Sequence, residues 1–111
     1  MVQAKTELFD AGLSRQANLF KALSHPARLQ ILLFLAKANT CISGDISDDL
    51  PLSRTTVNQH LKELKRAGLV QGTVEGVKTN YCLNPEGIAL LDGLLSDFVG
   101  SLKQTTISCC K

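Results

Sequence analysis

Residues 51–70, PLSRTTVNQHLKELKRAGLV, constrain the fold of this 111-residue chain more than any other stretch. Pro51 interrupts any preceding helix, Ser53 is a suitable N-cap, and Gly68 suits the left-handed residue that follows a helix. Between these signals, three apolar residues recur at helical spacing and predict one buried stripe: Val57, Leu61 and Leu64. The stretch therefore predicts an amphipathic helix with defined ends.

The opposite side of this helix carries hydrogen-bonding side chains on one face, given the helical period. These residues are Arg54, Thr55, Asn58, Gln59 and Lys62. Arg can bond guanine bidentately, and Asn or Gln can do the same with adenine, so the face suits the major groove of DNA. Lys65 and Arg66 lie further along and suit phosphates, which position a protein without reading sequence. A solvated helix would also be polar here, so the helix alone leaves both interpretations open.

The flanking segments favour DNA binding. SGDISDDL predicts a short helix before the turn, capped by Ser43 or Asp45. LVQGTVEGVKTNYCLN predicts a hairpin with strands 69–74 and 77–83, and Lys78 near its tip is placed to reach a flanking phosphate. A short helix, a turn, a second helix and a hairpin form a winged helix-turn-helix, whose second helix enters the major groove. We place the helix-turn-helix at about residues 43–67 and the wing at about 69–83.

Three further helices complete a predicted fold class that is mostly α with a small β-hairpin, in a single domain over residues 1–111. The first spans Thr6–Leu23, with Phe9, Leu13, Ala17 and Phe20 on one face. The second spans Pro26–Lys37, is capped by Ser24, and is apolar almost all round, which predicts a position at the centre of the core. The last begins at Asn84–Pro85 and has an apolar stripe: Ile88, Leu91, Leu95, Phe98 and Leu102.

Several classes of protein are disfavoured. The sequence has no run of about 18 uncharged apolar residues, so it predicts no membrane span. The N-terminus, MVQAKTELFD, lacks a positive region followed by an apolar stretch, so we expect a cytoplasmic protein whose cysteines stay reduced. The net charge of +2 indicates little about partners. The sequence contains no C-x-x-C motif, nucleophile elbow, phosphate loop or paired carboxylates on a strand, so we do not expect an enzyme.

Four motifs in order resemble the ArsR–SmtB family of bacterial metal- and metalloid-responsive repressors: LSHPARLQIL, then S-x-x-T-V-x-x-H-L-x-x-L over residues 53–64, then AGLV, then Y-x-L-N at residues 81–84. The resemblance covers residues 22–87. It implies a homodimer, packed through the first and last helices, that binds a palindromic double-stranded operator and is released by an inducer. His60 matches the H-L of the family and either contacts DNA or braces the fold, while His25 is expected to be structural. The DNA-binding candidates are Ser53, Arg54, Thr55, Asn58, Gln59, His60, Lys62, Lys65 and Lys78.

Two sensing sites known in the family are missing from this sequence. One uses two cysteines, one residue apart, on the short helix before the turn. Here the stretch reads CISGDI, so Gly44 replaces the second cysteine and Cys41 lies one place before the first. The other uses Asp and His on the last helix, which here has no histidine. Asp92 and Asp97 remain, and two carboxylates alone make a poor transition-metal site.

The adjacent Cys109 and Cys110 are the remaining candidates for sensing. Thiolates select soft centres, and trivalent arsenic is such a centre. A methylated arsenical needs two sulfurs and arsenite prefers three, so Cys82 or Cys41 could supply the third. We thus expect no constitutive cofactor and a trivalent arsenical as inducer. A thiol redox switch, or no small inducer, stays open as the alternative, as does an incidental role for the cysteines. A disulfide between neighbouring residues is strained, so a redox switch would join Cys109 or Cys110 to another cysteine.

Overall fold

The computed structural model describes residues 8–38, 42–43, 50–75 and 78–104. Within these ranges the chain forms four helices and three strands: α1 (Ala11–Leu23), α2 (Pro26–Ala38), β1 (Ile42–Ser43), α3 (Arg54–Arg66), β2 (Val70–Glu75), β3 (Lys78–Leu83) and α4 (Pro85–Lys103). The strands form one antiparallel sheet in the order β1-β3-β2. The architecture is mostly α with a small hairpin, as the sequence predicts.

Helix α1 begins later than predicted because Asp10 fixes its start. The Asp10 carboxylate accepts hydrogen bonds from the backbone N–H groups of Gly12, at 2.9 Å, and Leu13, at 3.2 Å. The helix therefore starts at Ala11, and Phe9, predicted on its apolar face, precedes it and is exposed. Thr6, the predicted first residue, lies outside the described residues.

The cap of helix α2 is His25 rather than the predicted Ser24. His25 Nδ1 accepts a hydrogen bond from the backbone N–H of Ala27 at 3.0 Å. The Ser24 hydroxyl instead donates to the carbonyl of Lys21 at 2.8 Å, so this serine closes α1. The physical reason is position, because a capping side chain serves the second or third helical N–H and Ser24 lies one residue too early. His25 thus has the structural role that the sequence predicts.

The core lies between α2, α3 and the sheet. The residues predicted on the inward stripe of α3 are buried as expected, and they join a cluster of apolar side chains from the neighbouring elements: Leu19, Ile31, Leu35, Leu50, Val57, Leu61, Leu64, Leu69, Val70 and Tyr81. Helix α2 was predicted at the centre of the core, and its Ile31 and Leu35 are buried there. The opposite side of the helix is not covered in the single chain, since Leu33 is 71% exposed and Leu29 is also exposed.

A short strand accompanies the predicted hairpin. β2 and β3 pair from Val70 opposite Leu83 to Glu75 opposite Lys78, close to the predicted boundaries. β1 pairs with the other edge of β3, although the sequence indicated only a connection there. Glu75, predicted at the turn between the strands, is instead the last residue of β2, and Gly76, its predicted partner in the turn, lies outside the described residues. Most of the predicted short helix (residues 44–49) also lies outside the described residues, so the short helix and the proposed domain limits stay predictions.

Helix α4 is tied to the end of α3 but leaves an apolar face uncovered. The Asn84 side chain donates a hydrogen bond to the carbonyl of Gly68 at 3.0 Å, and Gly68 has the predicted left-handed backbone, with φ of 85°. None of the 19 residues of α4 is buried in the single chain. Phe98 packs edge-on against Phe20 of α1, with ring centroids 5.7 Å apart. The exposed apolar residues of the helix are Leu90, Leu95, Phe98, Val99 and Leu102.

Candidate nucleic-acid interface

The first turn of α3 is fixed by a side-chain cap. The Ser53 hydroxyl accepts a hydrogen bond from the backbone N–H of Thr56 at 3.3 Å and donates to the Thr56 hydroxyl oxygen at 3.0 Å. Arg54 is therefore the first helical residue, as the sequence predicts. The cap sets the direction in which the first polar side chains leave the helix.

The structure brings most predicted DNA-binding residues onto one outer surface of α3. We call this surface the polar face; its exposed members are Ser53, Arg54, Thr55, Gln59, Lys62 and Lys65, and Asn58 is half-buried beside them. Arg54 and Asn58 also have interactions within the chain. Lys78 is the first residue of β3, next to the hairpin turn, and its side chain lies outside what the structure describes. Its role as a phosphate contact stays a prediction.

His60 lies on the buried side of α3 and not on the polar face. Its side chain is only 9% exposed, and its Nδ1 accepts a hydrogen bond from Arg28 Nε at 3.1 Å. Its ring centroid lies 4.3 Å from that of His25. The structure therefore corrects its place among the DNA-binding candidates, because an inward imidazole braces the fold. The spacing of His60 relative to Val57, Leu61 and Leu64 is a signal from which this burial could have been predicted.

Arg28 is a residue that sequence reasoning missed. It donates through Nε to His60 and through Nη1 to the carbonyl of Ala22, at 3.3 Å. Its guanidinium thereby joins the end of α1, the start of α2 and the middle of α3. The planar fork of arginine supplies several donors in fixed directions, which suits this bridging role. The contact orients α3 relative to the rest of the chain.

The electrostatics of this contact favour a neutral imidazole. Burial lowers the pKa of His60, and the neighbouring His25 and Arg28 lower it further. Only a neutral imidazole offers an acceptor nitrogen to the Arg28 N–H group.

At the far end of α3, Arg66 forms an ion pair with Glu63 at 2.7 Å, but both side chains are well exposed, so the pair contributes little stability.

The predicted sensing residues are only partly described. Cys41, Cys109 and Cys110 lie outside the described residues, while Cys82 lies on β3 and is partly exposed. Cys82 takes part in a disulfide, and its partner is not among the described residues. Cys82 therefore forms a covalent bond, whereas its position on a strand alone would suggest only a small side chain that packs against its neighbours. Across residues 8–38, 42–43, 50–75 and 78–104, no group of three or more His, Cys, Asp or Glu side chains is placed to hold a metal ion.

An exposed polar helix, capped at its start and followed directly by an antiparallel hairpin, defines the winged helix-turn-helix class of DNA-binding proteins. Residues 25–71 match the family model described as bacterial regulatory protein, arsR family. Over 95 residues the chain is 35% identical to the HTH-type transcriptional regulator CmtR of Mycobacterium tuberculosis, covering 86% of this chain and 74% of that protein. The chain belongs to the arsR family of DNA-binding transcriptional regulators.

Solved structures confirm the fold. The homodimeric winged helix-turn-helix DNA-binding domain Mb0332 of Mycobacterium bovis superposes with a TM-score of 0.58 at 29% identity, covering 88% of this chain and 91% of that one. Reduced HlyU of Vibrio cholerae gives 0.57 at 34% identity, covering 78% and 90%. The family and CmtR are described as transcriptional regulators, which are not enzymes, as the sequence predicts. In the described part of the chain, no helix has the length and apolar character needed to cross a membrane.

Proposed function

We propose that this chain is a homodimeric repressor that binds a palindromic operator through α3 and leaves it when its cysteines bind a trivalent arsenical. The observation that carries the DNA-binding part is the polar face of α3, which is exposed while the opposite side of the same helix is buried in the core. A helix held in this way can enter the major groove without disturbing the fold.

The roles of the polar-face residues follow from their positions along α3. Arg54, Thr55, Asn58 and Gln59 lie in its first two turns, where a recognition helix contacts base edges. Lys62 and Lys65 lie further along, where cations contact phosphates and position the protein on the duplex. Ser53 keeps its capping role at the helix start. Lys78 contributes a phosphate contact from the wing.

The dimer is supported by the uncovered apolar face of α4. None of the 19 residues of α4 is fully buried in the single chain, five of its apolar side chains are exposed, and α1 adds the exposed Leu13. Contiguous exposed apolar surface of this kind marks protein–protein contacts. The description of the Mycobacterium bovis neighbour as homodimeric supports the same assembly here. Two-fold symmetry would place two α3 helices on half-sites about one helical turn, roughly 34 Å, apart.

The arsenical inducer is supported by the sequence of the tail. Cys109 and Cys110 are adjacent thiols that follow α4 after a few residues, so a ligand held there can change how the two copies pack. Cys82 is the third sulfur we favour over Cys41, because its side chain is partly exposed on β3. Ligand binding must favour the released state by about 5 kcal/mol for a near-complete reversal. Several arsenic–sulfur bonds are a reasonable source of that energy.

The disulfide of Cys82 favours a second candidate, a thiol redox switch. An operator-binding regulator acts beside the DNA, so we also propose a cytoplasmic location. Disulfides there are rare and usually transient, so one that joins Cys82 to another cysteine suits sensing better than structural stabilisation. One solved neighbour is described as reduced HlyU, and this description supports testing the redox state of the cysteines in this chain.

A DNA-release titration separates the two candidates. The reduced protein, bound to its operator, is titrated with arsenite, a trivalent methylated arsenical, antimonite, zinc and cadmium, and then separately with an oxidant. The arsenical candidate predicts release of the wild type by arsenicals, whereas the Cys109→Ser/Cys110→Ser variant stays bound. Release of that variant at wild-type arsenical concentrations would remove the tail from the sensor. Release by the oxidant alone would favour the redox switch.

A further inference from the structure

An open cavity of about 700 Å³ lies between α1, the end of α3 and α4. Its size falls within the range of about 300–1,000 Å³ that is typical of small-molecule sites. All the residues that line it belong to the described part of the chain. None of the residues assigned to DNA contacts or to sensing in the proposed function lines it, so the cavity is a candidate for a separate ligand.

Part of the cavity lining is apolar. Leu19 and Ala22 of α1 line it and are buried, and Leu94 of α4 lines it and packs against the core. Leu90 lies four residues before Leu94, on the same side of α4, and is exposed. An apolar group that enters the cavity would cover these side chains, and the removal of apolar surface from water is favourable.

The rest of the lining is mainly positive. Four of the lining side chains are cationic and one is acidic: Arg15, Lys21, Arg28, Arg66 and Glu63. Glu63 is already paired with Arg66 at 2.7 Å. In the described part of the chain, Arg15 and Lys21 have no acidic partner. The cavity therefore keeps positive charge that these residues do not neutralise.

Arg28 contributes a charge that is half-buried. Its Nε donates to His60 and its Nη1 to the carbonyl of Ala22, and both acceptors are uncharged, since an imidazole that accepts this bond is neutral. A partly buried charge is stabilised by an opposite charge placed beside it. The guanidinium fork matches the geometry of a carboxylate. Arg28 therefore favours a carboxylate as the charged end of a ligand.

We propose that this cavity is an effector site for a small organic acid, a molecule with one carboxylate and an apolar chain or ring, and that its occupation changes operator affinity. The apolar lining takes the chain or ring, and the carboxylate lies against Arg28. Three observations carry the proposal: a cavity of ligand size, its apolar lining, and cations without a counter-ion. The site uses no cysteine, so it is separate from the arsenical and redox candidates.

The position of the cavity connects it to operator binding. Arg28 is bonded to His60 on α3, Ala67 caps the end of α3 and lines the cavity, and α1 and α4 carry the apolar face proposed for the dimer. A ligand held among these three helices would fix the angle between the recognition helix and the dimer helices. The effect on DNA rests on the proposed function. The binding of the acid does not, because it is measured without DNA.

Calorimetric titration of the reduced full-length protein tests the ligand class with a matched series. Decanoate and decyltrimethylammonium have chains of similar length and opposite charge, octanoate is two methylene groups shorter, and inorganic phosphate has no chain. We expect decanoate to bind about tenfold more tightly than octanoate, because two further methylene groups are buried. We expect no binding of the cation. Equal binding of decanoate and the cation, no binding of decanoate, or its displacement by equimolar phosphate would overturn the proposal.

Charge-matched variants locate the site. Arg15→Gln/Lys21→Gln removes two exposed charges from the lining, and Lys37→Gln/Lys103→Gln removes two exposed charges from elsewhere in the chain. The first variant should weaken decanoate binding by about tenfold or more, as expected for lost contacts to a charged group, and the second should leave it nearly unchanged. Equal weakening in both variants would indicate general electrostatic attraction and overturn the site.

Leucine variants test the apolar contact in the same way. Leu90 is 59% exposed, and Leu33, which does not line the cavity, is also exposed, so glutamine at either position should cost little stability. Only Leu90→Gln should weaken decanoate binding, and equal affinity of the two variants would overturn the apolar contact.

Operator affinity measured with and without saturating decanoate tests the effector role. We expect a change of about fivefold or more in the wild type and a smaller change in Arg15→Gln/Lys21→Gln at the same decanoate concentration. Bound decanoate with unchanged operator affinity would overturn the effector role. A ligand-free protein that fails to bind its operator would instead refute the proposed function, while the calorimetric result would stand.

Discussion

His60 shows how one residue can make stability depend on pH. Burial, His25 and Arg28 together hold its pKa in the folded chain below the ordinary value of about 6.5. At pH values between the two pKa values, the unfolded chain binds a proton that the folded chain does not. The free energy of unfolding therefore falls as pH drops through about 6.5 toward the lower folded pKa, and levels off below it.

We expect this slope in urea denaturation measured between about pH 8 and pH 5.5, above the range where most carboxylates titrate. His60→Gln should flatten it, because the glutamine carbonyl can accept the Arg28 hydrogen bond and does not titrate. His25→Gln serves as a comparison, since it removes a charge beside His60 and leaves the Arg28 bond in place. An unchanged slope in His60→Gln would show that other groups cause it.

The residues of the polar face can be divided into those that contact base edges and those that contact phosphates. Arg54→Ala and Asn58→Ala should each weaken specific operator binding by about 1–3 kcal/mol, the typical effect of a lost bidentate base contact. Lys65→Ala should weaken all duplexes alike and reduce the salt dependence by about one phosphate contact. Fluorescence anisotropy on operator and scrambled duplexes measures both effects. If Arg54→Ala weakens binding to both duplexes equally, that residue does not read bases.

Helix α3 depends as an element on its cap. Ser53→Ala removes the acceptor for the Thr56 N–H group and should lower the free energy of unfolding by about 1 kcal/mol. Ser53→Asp should largely restore stability, because aspartate is also a good N-cap. The same aspartate adds a negative charge next to the proposed DNA surface, so Ser53→Asp should still bind the operator poorly.

Thermal denaturation and anisotropy on the same two variants check this separation. Equal stability of Ser53→Ala and wild type would show that the cap is not needed. Operator affinity of Ser53→Asp equal to that of wild type would place residue 53 away from the phosphates.

Elements defined by local signals could be predicted from the sequence, and those defined by distant partners could not. Helix α3 was predicted at both ends because Ser53 and Gly68 are themselves the signals for its limits. Strand β1 was missed because two residues contain no pattern, and only pairing with β3 makes them a strand. The contact of Arg28 with His60 joins residues far apart in sequence, so no spacing could predict it. The polar face followed from periodicity alone, so its members were predicted, whereas His60 was counted among the DNA-binding candidates and lies on the buried side of the helix.

For the whole molecule, the apolar face of α4 predicts a dimer that a single charge should disrupt. Leu102 is 60% exposed in the single chain, so Leu102→Glu should cost little within one protomer. At an interface the same change buries an unpaired charge, which is strongly destabilising. Ser96→Glu, at an exposed position on the same helix, adds the same charge outside the apolar stripe.

Sedimentation at micromolar concentration should show a dimer for the wild type and Ser96→Glu, and mainly monomer for Leu102→Glu. Leu102→Glu should also bind the palindromic operator weakly, since one protomer reaches one half-site. A monomeric wild type would refute the proposed assembly.

The absence of any buried residue in α4 has a consequence for gene dosage. If a second copy must cover this helix, then folding, pairing and operator occupancy all depend on how much of the protein is present. Where single copies predominate, the amount of dimer varies with the square of their concentration, so halving the supply leaves a quarter of the dimer. Dilution during growth would then relieve repression more steeply than the fall in protein level itself.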